Sequence, residues 1–332
     1  MLLLIPVLIG VSILTFTIIR LAGDPTLTYL QNPERATPQQ IAEIRDKFHL
    51  DEPLYVQYWY WLDGVLHGDL GWSKTATAYT TDAIAQRFPA TFELAILATF
   101  FAVIFGIYLG TMSAIRVNSI TDQSTRVVAL VGVSIPVFWL GIMLIMIFYN
   151  RLGWAPIPNG RYTFTRFSLA DLHSHTGFLL FDTLWSRNWS FFWDVVGHLI
   201  LPAITLAFAS TAIIIRMMRS SMLEVLGAEY VKTARSKGLP EKVVIKKHAR
   251  RNALIPTTTV IGLSFGGLLG GAVLTETVFS WHGLGEWTGS AAVNLDTAAI
   301  MGFTLLTAVI YVLANLIVDI VYAYLDPRVR LG

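Results

Sequence analysis

Residues 216–256 read RMMRSSMLEVLGAEYVKTARSKGLPEKVVIKKHARRNALIP, the one long charged run set between two apolar segments. Its cations are Arg216, Arg219, Lys232, Arg235, Lys237, Lys242, Lys246, Lys247, Arg250 and Arg251. Against these ten stand three acids, Glu224, Glu229 and Glu241. Leu223, Leu226, Tyr230 and Ala234 recur at helical spacing, which predicts one helix with an apolar stripe. Gly238 is expected to cap it, with Arg235 and Lys237 in its last turn suiting the negative helix end. Pro240 fits the first turn of a second helix, and Glu241 complements that helix's positive end. The run therefore reads as helix, tight turn, helix, held in water between two membrane spans.

Composition sets the frame for this reading. Of 332 residues, 54% are hydrophobic and only 14% charged, where a soluble domain carries roughly 25% charged residues. This marks an integral membrane protein. There is no cysteine, which excludes disulfides, a thiol nucleophile and a cysteine metal site. The opening MLLLIPVLIGVSILTFTII lacks a basic lead and is about as long as a span, which takes ~20 apolar residues. It reads as a first span; an export signal with a trimmed start is the alternative, and no small-residue cleavage site follows to support it.

Six apolar segments are long enough to span, near Leu2–Ile19, Phe92–Ile115, Val127–Tyr149, Leu199–Met218, Ile255–Phe279 and Ile300–Leu325. They are continuous runs without period-2 alternation, so helices are expected. Lys and Arg in the loops place both termini in the cytoplasm. Arg116, Arg126, Arg328, Arg330 and the ten cations of the central run fall on one side, and Ser280–Ala299 has none. The loop Asn150–His198 dissents with Arg151, Arg161, Arg166 and Arg187 on the outer side. The organisation expected is span one over 1–22, an extracytoplasmic loop region over 23–91, and a core over 92–332 with its cytoplasmic loop at about 219–254.

In the long outer loop, Thr37-Pro38 resembles a helix start, with Ile41, Ile44 and Phe48 as a short apolar face. PLYVQYWYWLDGVLHGDLGWS follows, and its Tyr and Trp suit the headgroup level or, equally, a small packed cap. Asn188-Trp-Ser is a chance glycosylation match outside a eukaryote.

Catalytic readings find little support. No GxxxxGK[ST] occurs, and Gly283-Leu-Gly285-Glu-Trp-Thr-Gly289 lacks a phosphate-binding Lys. His173 and His175 stand in a loop without an evident acid partner. No catalytic, cofactor or metal residues are assigned. Ionisable groups within spans each need a reason. Asp319 has Asn315 one turn away, and a pair with Arg216 is open, with Arg126 competing; a helix-end contact is the plainer reading. Glu276 follows Gly266, Gly267, Gly270 and Gly271, which allow close helix approach or flexing. It either faces a central cavity, where it would meet a cationic solute group, or reaches the headgroups.

The run 216–256 itself has three readings: fixing topology, binding anionic lipid, or docking into another protein. Its stripe, its Gly-Leu-Pro turn and its length exceed what topology needs, and favour docking.

At this point the sequence resembles the inner-membrane permease subunits of ABC importers for di- and oligopeptides, over nearly the whole chain. The most specific pieces are Glu229-Tyr-Val-Lys-Thr-Ala-Arg-Ser-Lys-Gly238 and His248-Ala-Arg-Arg-Asn-Ala-Leu-Ile-Pro256. Supporting pieces are Gly68-Asp-Leu-Gly-Trp-Ser73, Gly132-Val-Ser-Ile-Pro-Val-Phe138, Thr176-Gly-Phe-Leu-Leu180, His198-Leu-Ile-Leu-Pro202, Arg219-Ser-Ser-Met-Leu-Glu224, Asn315-Leu-Ile-Val-Asp319 and Asp326-Pro-Arg328.

The resemblance implies an all-α polytopic membrane protein with six transmembrane helices, a cytoplasmic helix-turn-helix coupling loop and a long extracytoplasmic loop, in the inner membrane of a prokaryote. It implies a second homologous permease subunit, two cytoplasmic ATPase subunits and an extracytoplasmic solute-binding protein as partners, in the lipid bilayer and without nucleic acid. By resemblance, Glu229, Tyr230, Thr233, Ala234, Arg235, Lys237 and Gly238 carry the coupling to the ATPase. Glu276, Asp319 and Arg216 are candidates for the path or gate. Related permeases carry nickel chelates, glutathione or oligosaccharides, so these cargoes stay open. From a different class, a stand-alone ion-coupled carrier would show paired charges at mid-membrane and inverted repeats.

Four departures from the family pattern stand out. Lys232 occupies the position of a Glu, and the Gly-to-Pro spacing is longer. His282 replaces a Pro after Trp281, so that turn is expected to differ. The chain opens in span one without the family's basic lead, so its start is expected to be truncated or misassigned.

Overall fold

A computed structural model describes residues 4–22, 26, 37–47 and 49–325. The Asp326-Pro-Arg328 piece, Arg330, Phe48 and most of 23–36 lie outside the described residues. In chain order the helices are α1 (Leu4–Ala22), α2 (Pro38–Lys47) and α3 (Leu54–Leu66), then a two-stranded antiparallel hairpin, β1 (Trp72–Ser73) and β2 (Ala78–Tyr79). There follow α4 (Thr80–Ile115), α5 (Ile120–Ser134), α6 (Val137–Leu144, continued as a π-helical stretch Ile145–Arg151), α7 (Leu179–Trp185) and α8 (Trp189–Leu226). The chain continues with α9 (Glu229–Ser236), α10 (Glu241–Val243), a π stretch (Val244–Ala249), α11 (Arg250–Gly271), α12 (Val273–Phe279), α13 (Leu284–Val293) and α14 (Thr297–Leu325).

Among the described residues four helices are long and apolar enough to cross a membrane: Thr80–Ile115, Trp189–Leu226, Glu241–Leu269 and Thr297–Val321. A fifth candidate is the pair α5 and α6, and α1 is a shorter apolar helix. The chain is thus a multi-pass helical protein, with the small hairpin as an exception to the all-helical expectation.

The expected third segment, Val127–Tyr149, is bent by 105° at Ser134–Val137. Pro136 forces the residue before it out of the α region, and Ile135 is accordingly extended (φ −82°, ψ 127°). The motif Gly132–Phe138 therefore marks a break and not a continuous helix. The expected fifth segment, Ile255–Phe279, also divides. Its helix ends at Gly271, and α12 is a separate short helix that turns back with α13. Pro89, Pro202 and Pro256 lie inside α4, α8 and α11; helices in lipid tolerate such prolines where neighbours satisfy the freed carbonyls.

The core is the α4–α8 pair. Ala90, Leu94, Ala98 and Ala102 of α4 lie against Leu199, Ala203, Leu206 and Ala207 of α8, with Leu268, Leu269 and Trp281 closing the cluster. The every-fourth-residue stripe continues through Gly106, Gly110 and Ala114, small residues that let two membrane helices approach. A Cβ on Gly110 would stand 2.8 Å from Met218 Cβ and 2.9 Å from the Ile215 carbonyl oxygen. Outward faces of α1, α4 and α14 expose Leu14, Ile18, Phe100, Phe105, Leu313 and Ile317, as expected of surfaces meeting lipid or a partner helix.

Candidate functional site: a short helix at the basic end

Arg116, Arg126, Arg219 and the 227–251 segment mark one end of the bundle, here the basic end; the β1–β2 hairpin marks the other. At the basic end the single helix expected from Leu223 to Gly238 is two. α8 ends at Leu226, Ala228 is extended (ψ 147°), and α9 begins at Glu229. The break changes which residues are buried. Val231 and Ala234 face inward against Val244 and Val225, while Tyr230 is 45% exposed.

An eight-residue helix is not stable alone in water, so its fixings matter. Burying Val231 and Val244 contributes on the order of 1.5–3 kcal/mol each. Gly238 (φ +74°) supplies the left-handed residue after the helix. Its N–H donates to the Arg235 carbonyl (2.9 Å) and that of Leu239 to the Ala234 carbonyl (3.4 Å), the two bonds of a Schellman ending. Pro240 precedes α10 as its N-cap and does not sit in its first turn. Arg235 closes the turn with a forked pair to Glu241, at 3.2 and 2.7 Å, which raises the Arg235 pKa further. Lys232 reaches Glu229 (2.7 Å), and Thr233 Oγ1 donates to the Glu229 carbonyl (2.9 Å). Burial lifts the Tyr230 phenol above its usual value, and a hydrogen bond from Asn252 opposes that.

The result is a short helix with an apolar underside and a polar upper face of Glu229, Tyr230, Lys232, Thr233, Arg235 and Lys237. It joins two membrane-length helices. α8 runs into it from one side, and the Glu241–Gly271 rod leaves it on the other, interrupted only by the π stretch. The second helix of the expected helix-turn-helix is thus the start of that rod.

Arg216 and Asp319 are not brought together. Both are exposed, and no ion pair joins them among the described residues. The buried carboxylate at this end, Asp122, pairs instead with Arg219, with Arg126 at 3.7 Å. Asp122 carries no helical-repeat signature; its only sequence signal is a place three residues after the N-cap Ser119.

Glu276 does not face a central cavity or the headgroups. It is fully buried, accepting from Thr91 Oγ1 (2.6 Å) and from the Glu286 N–H (3.0 Å). Thr91 Oγ1 in turn accepts from the Leu284 N–H (2.8 Å), and Trp281 Nε1 donates to the Ala90 carbonyl (2.9 Å). The carboxylate thereby clamps α12 and α13 to α4. The glycine-rich 283–289 stretch serves this packing: a Cβ on Gly285 would lie 2.8 Å from the Val273 nitrogen. His282 has φ +57°, a value that a proline ring forbids.

The hairpin end holds further buried carboxylates. Asp296 Oδ2 accepts from Ser73 Oγ (2.7 Å), the Thr75 N–H (2.9 Å) and Thr75 Oγ1 (2.8 Å), tying β1 to α14. Glu93 pairs with Arg161 and accepts from the Leu180 N–H (2.8 Å). Asp182 accepts from Thr176 and Gly177, which accounts for the 176–180 motif. One dissenting arginine of the second loop is therefore a packing group. Two cavities of about 540 and 400 Å³ share Gln86 and His282 at this end; His175 lines the larger. Among the described residues no group of three or more His, Asp or Glu could hold a metal.

Comparison with known proteins agrees with this arrangement. Residues 102–331 match the family described as binding-protein-dependent transport system inner membrane component, and residues 1–95 match the N-terminal part of such membrane components. The dipeptide transport system permease protein DppB of Alkalihalophilus pseudofirmus is 46% identical, over 99% of this chain and 97% of its own length. The di/tripeptide transport system permease protein DppB of Pseudomonas aeruginosa is 45% identical, over 99% and 96%. The dipeptide permease DppB of Escherichia coli K12 is 43% identical, over 99% and 96%. The short helix on its apolar anchors, the long helices on either side of it and the match across the chain together place this protein in the family of inner-membrane components of binding-protein-dependent transport systems.

Proposed function

We propose that this chain is the transmembrane permease subunit of an ATP-driven importer for di- and oligopeptides, forming half of the translocation path beside a second, homologous permease. Six spans are assigned: α1, α4, the bent α5–α6 pair, α8, the Glu241–Leu269 rod and α14, with both termini cytoplasmic. α12 and α13 then form a re-entrant pair on the outer side. Two cytoplasmic ATPases supply the energy, and the chain hydrolyses no nucleotide itself. A solute-binding protein meets the outer loops, where the two adjoining cavities offer a concave surface.

One observation carries this reading. α9 presents Glu229, Tyr230, Thr233, Arg235 and Lys237 outward, while Val231 and Ala234 hold it between two membrane-length helices. A groove on an ATPase that received this face would move both helices at once. The path runs between this chain and its partner, lined by parts of spans two to five. The peptide-permease relatives support the cargo class.

The absence of native cysteine makes the test direct. A Lys237→Cys variant in the assembled complex, treated with a bifunctional thiol-to-amine reagent, is expected to link to an ATPase subunit. Linkage only to the binding protein, or to no ATPase in a complex that contains one, would contradict the assignment.

A further inference from the structure

Asp122 is the one fully buried carboxylate at the basic end among the described residues. Three elements converge on it. Arg219 of α8 donates through Nε to Oδ1 (2.8 Å) and through Nη2 to Oδ2 (3.1 Å). Ser113, near the end of α4, donates its hydroxyl to Oδ1 and accepts from Arg219 Nε (3.0 Å). The Asn118 N–H, in the elbow between α4 and α5, donates to Oδ2 (3.0 Å), and Asn118 itself is left-handed (φ +61°). The Asp122 N–H donates to Ser119 Oγ (3.2 Å), closing the N-cap of α5.

Buried ion pairs are weak evidence for stability, and their best-attested use is to fix one arrangement against its neighbours. A forked guanidinium–carboxylate pair does this well, because both bonds break if either element slides by one residue, about 1.5 Å. Arg219 lies about 11 Å along α8 from its end at Leu226, and α9 begins just beyond. Next to the pair, Gly110 brings the α4 backbone against Met218.

The contact between α8 and the Glu241–Gly271 rod differs in kind. There Met218 and Met222 meet Ala249 and Ala253, and the polar contact is a long one from Thr257 Oγ1 to Met218 Sδ (3.6 Å). Among the described residues no ion pair joins α8 to the rod. Apolar packing is non-directional, whereas the forked pair holds only at one register.

We propose that Asp122, Arg219 and Ser113 are positioning residues that make α4, α5 and the basic end of α8 one body, so that a push on α9 turns this body against the Glu241–Gly271 rod. This rests on α9 being the ATPase foothold, and it assigns which of the two flanking helices is locked and which slips.

The test uses the complete importer in proteoliposomes, with ATP hydrolysis and dipeptide uptake read on the same preparation. Met218→Cys is combined with Gly110→Cys in one variant and with Thr257→Cys in another, and each pair is bridged by a short bifunctional thiol reagent. Bridging 110 to 218 should leave uptake within twofold of the unbridged variant, because those helices move together. Bridging 218 to 257 should stop uptake. The reverse pattern overturns the proposal, as does loss of uptake from both bridges. Separately, Arg219→Lys keeps the charge and removes the fork. The assembled complex should keep its ATP hydrolysis while uptake per ATP falls about tenfold, the effect of ~1.4 kcal/mol between two states. Unchanged uptake per ATP would also overturn it. Failure of the Lys237→Cys linkage above would instead remove the foothold and leave the bridging result standing.

Discussion

The two ends of this molecule hold their acids in opposite ways. At the hairpin end Glu276, Asp296 and Asp182 are buried with hydroxyl and backbone N–H donors around them, and only Glu93 has an arginine. Glu276, Asp296 and Glu93 each tie a loop or short helix to a long one, and Asp182 ties the loop at 176–177 to α7. At the basic end one carboxylate is buried, against Arg219, while Glu229 and Glu241 make exposed pairs on a helix held by a few apolar side chains. Dense polar ties give a fixed surface; a lightly anchored helix between two long rods gives a part that can be pushed. Under the proposed function, a binding protein docks on the first and an ATPase acts on the second.

The sharpest way to break the contrast is at its rigid end. Asp296→Ala leaves Ser73, Thr75 and its N–H without their acceptor in a buried setting, at a cost of about 3 kcal/mol or more. The purified complex should unfold at a clearly lower temperature; an unchanged midpoint would mean the hairpin is not tied down by this group. Gly110→Leu, along the α4–α8 seam, meets Met218 and the Ile215 carbonyl. It should cost about 1–3 kcal/mol and reduce the yield of folded protein in membranes; yields equal to wild type would show that the seam yields.

At the lightly anchored end the effects shift from stability to function. A Cβ on Gly238 meets nothing within 4 Å, so only its left-handed backbone constrains it. Gly238→Val should abolish uptake while insertion and folding persist, at a local cost of about 1–2 kcal/mol, and Gly238→Asn, which tolerates that backbone, should retain most uptake. Equal behaviour of the two would shift the role from backbone to bulk. Smallest is Arg235→Gln, which opens an exposed pair worth about 0.2–1 kcal/mol; thermal stability should hardly change, with uptake reduced less than in Gly238→Val.

Much of the basic end was legible in sequence. Gly238 after a helical repeat and Arg235 in the last turn have local meanings, and the structure keeps them, while Lys237 falls one residue beyond the helix as its C-cap. The break at Gly227–Ala228 was not legible, because Leu223, Leu226, Tyr230 and Ala234 fit one continuous helix equally well. The bend at Pro136 was readable in principle from Ile135-Pro136, but an apolar run across it hides a break that lipid tolerates. Asp122 and Asp296 are hidden in the sequence for a different reason. Their partners stand 97 and 223 residues away, and no local pattern reports such a pairing. Glu276 stands out as a charge in an apolar run, but its role as a clamp depends on Thr91, 185 residues earlier.

Uptake by vesicles bears most directly on whether this subunit is driven from outside itself. Labelled dipeptide is offered to vesicles holding the two permeases alone, and to vesicles that also carry the ATPases and binding protein. Accumulation only in the complete set, and only with ATP, is the expected result; accumulation by the permeases without any ATPase would contradict it.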